Sequence, residues 1–358
     1  MSTIAGKAAA ARLVDHRPFM AGVIVLLIVE AMLIFLGWWM RTDSLLRGWL
    51  VAFAMVSCVP IGSMTWLLIH RLTGGEWGLA AAPVLRPAAA MTPMLILLFM
   101  PVLFGFRHIY PWADESAAIS PDVARWYLNG LSFLIRGAIA LVGWSVLAVT
   151  FAAGLGSRLL AGLGLAFFGL SISLVAVDWY LSLEPHYVET AFAAMIAVQQ
   201  LLAALAVTAL IAPPAINGKT AGDIGGLMIA TLLGVVYLEF MTFVIAWYGD
   251  LPDKAEWFLK RSGAGWVSVL ITALVIGALL PFAMLIVKAV RCSRLGLRVA
   301  SALILFGTTL HFAWLLVPAF DDQPAVVAAS CAGVAILLFV SLLTGAALAQ
   351  LLEGPRAE

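Results

Sequence analysis

The chain alternates long apolar runs with short polar connections, about ten times over. The runs lie at roughly Phe19–Trp39, Gly48–Leu68, Ala88–Phe104, Leu131–Phe151, Leu159–Leu181, Thr190–Ala212, Ile224–Trp247, Gly265–Lys288, Leu297–Val317 and Ala325–Ala349. Crossing the hydrocarbon of a bilayer takes a helix of about 20 residues. The runs are apolar all round, without the period-two alternation of barrel strands, so they predict helices. A helix also satisfies its own backbone, which lipid cannot do. The pattern therefore predicts an all-α integral membrane protein: one polytopic domain over residues 1–358, with about ten transmembrane helices in bundles. The first run is too long for the apolar part of a signal peptide. It closes on the interfacial pair Trp38-Trp39, with no small-residue cleavage site before Arg41.

Composition sharpens this picture. Hydrophobic residues make up 64% of the chain and charged residues 11%, against about a quarter charged in a soluble domain. The net charge of +1 gives no support to a nucleic-acid partner; the expected partner is the lipid bilayer. Ten spans put both termini on one side. That side collects twelve basic residues: Lys7, Arg12, Arg17, Arg71, Arg86, Arg158, Lys219, Lys288, Arg291, Arg294, Arg298 and Arg356. The other side collects eight: Arg41, Arg47, Arg107, Arg125, Arg136, Lys254, Lys260 and Arg261. The positive-inside rule then makes both termini cytoplasmic, as in a multi-pass protein of the bacterial inner membrane. The 288–298 loop is the strongest contributor, with four bases and no acid.

The connections are lean. The longest, about 105–130 and 248–264, fall on the non-cytoplasmic side and are rich in Trp, Tyr, Pro and acids. Such loops either sit at headgroup level or dock a partner. The 69–87 segment, with Thr73-Gly74-Gly75 and Arg86-Pro87, reads as turn chemistry. The three cysteines, Cys58, Cys292 and Cys331, have no CxxC or CxxCH spacing. They give no ligand set for haem c or an iron–sulfur cluster in this chain. Only His311 lies well inside a run, so the two facing histidines of a b-type haem are lacking. Glu184-Pro185-His186 is too tight a spacing to mark a metal site by itself.

Ionisable residues within membrane spans are expensive and are functional candidates. Four stand out: Glu30 near mid-membrane, and Asp178, Glu239 and His311 in the outer half. His108, Arg136, Glu184, His186, Tyr248 and Asp250 lie near the same side, and Gln199 and Gln200 add polarity in the sixth run. Each acid can equally be a residue packed in a helix interface and hydrogen-bonded locally. As functional groups, Asp, Glu and His at one face suit oxidation of a quinol, which needs a proton acceptor tuned by burial. Glu30, Glu239 and His311 suit a proton path. A secondary transporter would want them around a midplane site beside broken helices. Pro60, Pro93, Pro101 and Pro281 permit breaks but form no paired pattern.

Two segments carry a family likeness. One is Asp178-Trp179-Tyr180-Leu181-Ser182-Leu183-Glu184-Pro185-His186-Tyr187; the other is Trp247-Tyr248-Gly249-Asp250-Leu251-Pro252. Together with Trp257-Phe258-Leu259-Lys260-Arg261, they resemble the NrfD-like membrane subunits of alternative complex III, the bacterial quinol:cytochrome c oxidoreductase, and most nearly its second quinone-binding-type subunit. The chain departs from that pattern at Asp250, where Asn is usual, at Lys254, where an acid is common, and at Thr242, where Gln is common. The resemblance implies a helical-bundle subunit beside other membrane subunits, a periplasmic iron–sulfur protein and c-type cytochromes. It also implies a quinone or quinol near the periplasmic face. By residue it marks Asp178 and His186 as candidate catalytic groups, with Trp179, Ser182, Glu184, Trp247, Tyr248 and Asp250 around the cofactor. Glu30, Glu239 and His311 are the candidates for moving protons. Three functions stay open: a quinol-oxidising subunit that is not catalytic alone, a structural anchor or proton-channel subunit without a quinone site, and a secondary transporter.

Overall fold

A computed structural model describes residues 43–113, 120–249 and 251–353, together with six helical positions between Ile24 and Phe35. Among the described residues all regular structure is helical and no strand occurs. The long elements are α1 (Ser44–Thr73), α2 (Glu76–Ala90), α3 (Met94–Phe104), α4 (Gly130–Ala152) and α5 (Arg158–Trp179), then α6 (Phe192–Ile211), α7 (Gly218–Gly249), α8 (Ala264–Ile286), α9 (Arg294–Leu316) and α10 (Gln323–Glu353). Eight of them are long and apolar enough to cross a membrane, and the bent pair α2–α3 makes a ninth span if counted as one. The protein is an all-α, multi-pass membrane protein. The first expected span, with Glu30, lies outside the described residues except at those six positions.

Sequence sets the ends of these helices. Asn129, Ser157 and Ser293 each accept a backbone N–H from the first turn that follows, starting α4, α5 and α9. Gly74 and Gly75 take positive φ and close α1. Ala212 takes φ 42° after α6 and Pro213-Pro214 follows, so that helix cannot continue. One sequence expectation is corrected. Residues 76–90 form a helix rather than part of a loop, despite Pro83 and Pro87. Each proline removes only one N–H and its φ suits a helix, while the alanines around it favour one. The break comes later, at Met91-Thr92-Pro93, where i→i+3 backbone bonds replace the α pattern and the axis bends by 41°. The hydroxyl of Thr92 donates to the Ala89 carbonyl there at 2.7 Å.

The most enclosed helix is α1, which packs against α2, α4, α5, α6 and α10. A second group joins α6 to α7 and α9, and α8 to α9. Small residues let the axes close up. A Cβ at Gly62 would fall 1.9 Å from the Gln200 carbonyl oxygen. A Cβ at Gly307 on α9 would fall 2.2 Å from the Gly277 Cα, inside a π-helical turn of α8 at Val275–Leu279.

Contacts between connections define two ends. At one end His108 meets Asp43 at 3.2 Å, Ser44 donates to Asp322 at 2.6 Å, and Lys254 donates to the Val188 carbonyl at 2.8 Å. At the other, Lys219 faces Glu76 at 3.9 Å and Arg158 donates to the Leu72 carbonyl at 2.8 Å. The first end gathers the aromatic, acidic connections.

Candidate functional site

The segment after α5 is tied down residue by residue. Asp178, fully buried, takes a bidentate bond from Arg136 of α4, with Nε to Oδ2 at 2.6 Å and Nη2 to Oδ1 at 2.8 Å. The same Nη2 donates to the Tyr127 carbonyl at 2.9 Å, and the guanidinium lies over the Tyr127 ring, 3.9 Å from its centre. Such fork-on-fork geometry fixes both side chains as well as neutralising them. Outside the spans, burial and then the Asp178 charge push the Tyr127 hydroxyl up to about 12.

The next residues act as struts. The Trp179 ring is buried against Phe53, Phe99 and Trp144, and its carbonyl accepts from the Tyr110 hydroxyl at 3.0 Å. Ser182 accepts from the Trp112 indole N–H at 3.0 Å and donates to the Asp178 carbonyl at 2.6 Å. The 3₁₀ turn Leu181–Leu183 is therefore stitched to the connection before α4 through Tyr110 and Trp112.

Glu184 meets the second arginine. Arg261 follows the short helix Pro252–Lys260 and is almost completely buried. Its Nη2 lies 2.5 Å from Glu184 Oε2, and Lys260 Nζ lies 3.3 Å from Oε1. Arg261 also donates to the carbonyls of Trp257 at 3.0 Å and Leu315 at 2.8 Å. It stacks 3.6 Å over the Trp257 ring, against which Tyr187 also stacks, with ring centres 4.6 Å apart. Burial pulls the Arg261 pKa down, and the Glu184 carboxylate pushes it back up. An arginine keeps its charge through such shifts.

The third group lies deeper, between α6, α7 and α9. The Gln199 side-chain amide donates to His311 Nδ1, and His311 Nε2 stands 2.7 Å from Glu239 Oε1. Nε2 and Oε1 are both buried and face each other as a close ion-pair contact, and neither atom makes a hydrogen bond among the described residues. Gln199 Oε1 and Gln200 Oε1 are buried without a hydrogen bond among them. A Gln199 amide turned over would present Oε1 to Nδ1 and favour the imidazolium. A carboxylate in contact with an imidazole is a pair of proton-exchanging groups, unlike a carboxylate held by a guanidinium.

The expected site residues therefore separate into groups. Asp178, Trp179 and Ser182 belong to the first, Glu184 to the second, and Glu239 with His311 to the third. His186 is exposed on the loop after Glu184 and makes no bond with Asp178. Trp247 and Tyr248 are 74% and 87% exposed at the end of α7, pointing away from the bundle. Asp250 and Glu30 lie outside the described residues. Sequence reasoning missed the two arginine pairings. An arginine within an apolar run demands a carboxylate partner, a signal that could have tied Arg136 to Asp178. Nothing local connects Arg261 to Glu184, 77 residues away. Among the described residues no three of His, Cys, Asp and Glu lie together as a metal site would need. A crevice at the α2–α3 break is lined by Met91, Met94, Leu337 and Thr344 and contains none of the expected residues. No family model matches the chain, and no curated protein matches its sequence.

Proposed function

We propose that this is an NrfD-like membrane subunit of a quinol-oxidising respiratory complex, of the alternative complex III type, and that its His311–Glu239 pair takes up protons at the periplasmic half of the membrane. The reading includes ten spans, both termini cytoplasmic, and residence in the bacterial inner membrane. The observation that carries it is the pair itself: a carboxylate and an imidazole in contact inside a membrane bundle, with Gln199 on the imidazole and, among the described residues, no arginine ion-paired to the carboxylate. It lies beneath the end where the family-like segments converge on Glu184 and Arg261. The count of basic residues makes that end periplasmic.

A quinol, when bound, supplies two protons and two electrons. The residues suit its hydroxyl. Glu239 sits on α7, the least enclosed span, with its side chain 22% exposed toward the bilayer from which such a molecule arrives. Glu239 is the acceptor, His311 shares the proton, and Gln199 sets the tautomer. Electrons leave through partners, the periplasmic iron–sulfur and c-type cytochrome subunits, because no redox ligand set is evident in the sequence. Asp178 and Glu184 are positioning residues, each locked to an arginine. His186 is free on the loop to meet a quinol headgroup or a partner.

The arginine locks also favour a second reading, in which the motif is a structural anchor and the chain conducts protons without a quinone site. Purification of the full chain in mild detergent, with partner identification and a quinone assay on the same sample, separates the two. Bound quinone with haem c and iron–sulfur subunits supports the first reading. Partners without quinone support the second. A lone chain with neither overturns both. In the first case His186→Ala should lower quinol oxidation without loss of assembly; unchanged turnover removes His186 from the site.

A further inference from the structure

The end of the molecule opposite the motif carries a feature that proton chemistry does not use. The turn between α8 and α9 and the first turns of α9 hold Lys288, Arg291, Arg294 and Arg298, and no acid from 288 to 298. Among the described residues none of the four forms an ion pair. Asp223 of α7 is close in sequence to Gly222, which faces Cys292, yet it pairs with none of them. The bases are instead oriented by backbone. Arg294 donates to the Ala212 carbonyl and Arg298 to the Ile211 carbonyl at 3.0 Å, both at the end of α6. Arg291 donates to the Leu285 carbonyl at 3.4 Å, packs its methylenes on Gly225, and keeps a buried Nε without a partner.

These bonds aim the guanidinium groups without neutralising them. Four positive charges remain at the level where a span meets the headgroups. An apolar stripe leads away from them into the membrane. Leu295, Val299 and Phe306 are exposed along one face of α9, and Ile286 and Val287 are exposed at the end of α8. Phosphate chemistry and alkyl chemistry are thus presented side by side, one turn apart.

We propose that this turn is a binding site for an anionic phospholipid of the cytoplasmic leaflet. Its phosphate is held by Lys288, Arg291, Arg294 and Arg298, and its acyl chains lie along Leu295, Val299 and Phe306. A guanidinium fork matches the two free oxygens of a phosphodiester. Basic clusters at the cytoplasmic ends of spans draw anionic lipids by about 1 kcal/mol per base, which is about fivefold in affinity. The apolar stripe selects a lipid over a free anion. The site does not depend on the quinol reading.

The test uses the full chain, delipidated in neutral detergent, with native mass spectrometry counting retained lipid. Phosphatidylglycerol is compared with phosphatidylcholine of the same chains. The site predicts at least one phosphatidylglycerol retained in preference, and a loss of about thirtyfold in that preference in the double variant Lys288→Gln/Arg294→Gln. Arg86→Gln, an exposed base within α2, should leave it unchanged. A thermal melt in phosphatidylcholine confirms that the double variant folds; if it does not, Lys288→Gln alone is expected to show about fivefold. Equal retention of both lipids overturns the proposal, as does an Arg86→Gln loss as large as that of the double variant. Displacement of the lipid by inorganic phosphate alone would mean a free-anion site and would also overturn it.

Discussion

Two regions of this molecule bury carboxylates and treat them in opposite ways. At the end where the aromatic, acidic connections gather, Asp178 and Glu184 are each met by an arginine at 2.6 and 2.5 Å. Deeper in the bundle, Glu239 is met by a histidine at 2.7 Å. Arginine cannot give up its proton, so an Asp–Arg pair has one charge state and serves as a fixed tie between helices. An imidazole can gain or lose a proton where a guanidinium cannot, so a Glu–His pair is not confined to one charge state. Both carboxylates of the motif that looks most chemical in the sequence are therefore held as ties between elements. The pair with latitude to move a proton lies on residues with no motif around them.

Breaking the scaffold should have the largest effect. Arg261→Ala removes the bonds to Glu184, to the Trp257 and Leu315 carbonyls, and the stack on Trp257. Removing one partner of a buried ion pair costs about 3–5 kcal/mol, so the variant should melt well below the parent in detergent or fail to accumulate. Lys260→Ala takes away the exposed partner of the same carboxylate and should cost less than about 1 kcal/mol. Equal shifts in the two melts would contradict the view that burial, not pairing alone, makes the tie.

The deeper pair should respond the other way round. Glu239→Gln keeps shape and a hydrogen-bonding group beside His311, so stability should change by no more than about 1.5 kcal/mol. Turnover of the assembled complex should fall by about 10²–10⁴, the usual contribution of a positioned acid or base. Asp178→Asn should lower the melting temperature while leaving turnover per assembled complex near normal. If Asp178→Asn is silent in stability but kills turnover, the roles of the two regions are reversed.

How far the chain could be read in advance follows the same division. Apolar length is a local property, and it located the eight helices long enough to span and the second half of the bent pair α2–α3. It missed the helix at Glu76–Ala90, because Pro83 and Pro87 resemble loop punctuation until packing on α1 is known. Asp178, Glu239 and His311 stood out because charge in an apolar run is costly. Their partners did not. Arg136 lies 42 residues from Asp178, Arg261 lies 77 from Glu184, and Gln199 lies 112 from His311. Pairing over such distances is decided by helix packing, which identical apolar surfaces do not encode in any visible period. His186 and Tyr248 illustrate the converse: residues inside a recognisable segment that the fold leaves exposed.

Between these extremes lies a packing test. Gly277 and Gly307 let α8 and α9 touch backbone to backbone, one helical turn below His311. A methyl at Gly307 would stand 2.2 Å from the Gly277 Cα, too close for any relaxation confined to side chains. Gly307→Ala should therefore cost about 1–3 kcal/mol, and by displacing α9 it should also weaken the contact of His311 with Glu239. Gly162→Ala, where the added carbon meets nothing within 4 Å, is the matched control and should melt like the parent. A Gly307→Ala protein that melts and turns over normally would show that the close crossing is incidental to the pair.

The smallest effect probes the electrostatics of the scaffold at its rim. Tyr127 lies beside the Arg136–Asp178 tie, and burial followed by the Asp178 charge raises its hydroxyl to about 12. The ordinary tyrosine value is about 10. Between those values the folded protein keeps a proton that the unfolded chain has lost, so this group's contribution to stability is complete below about pH 10 and drains away as pH rises toward 12. Tyr127→Phe should flatten the fall in stability across that window. At neutral pH it should cost only a few tenths of a kcal/mol, because the hydrogen bond to the Leu174 carbonyl is long, at 3.4 Å. Asp178→Asn removes one of the two causes and keeps the other. Tyrosinate absorbance followed through an alkaline titration should then place Tyr127 lower than in the parent but still above 10, since burial persists. A tyrosine that titrates at its ordinary value in both proteins would mean that the Asp178 carboxylate is screened from the rim, and that the tie is less enclosed than its full burial and bidentate geometry require.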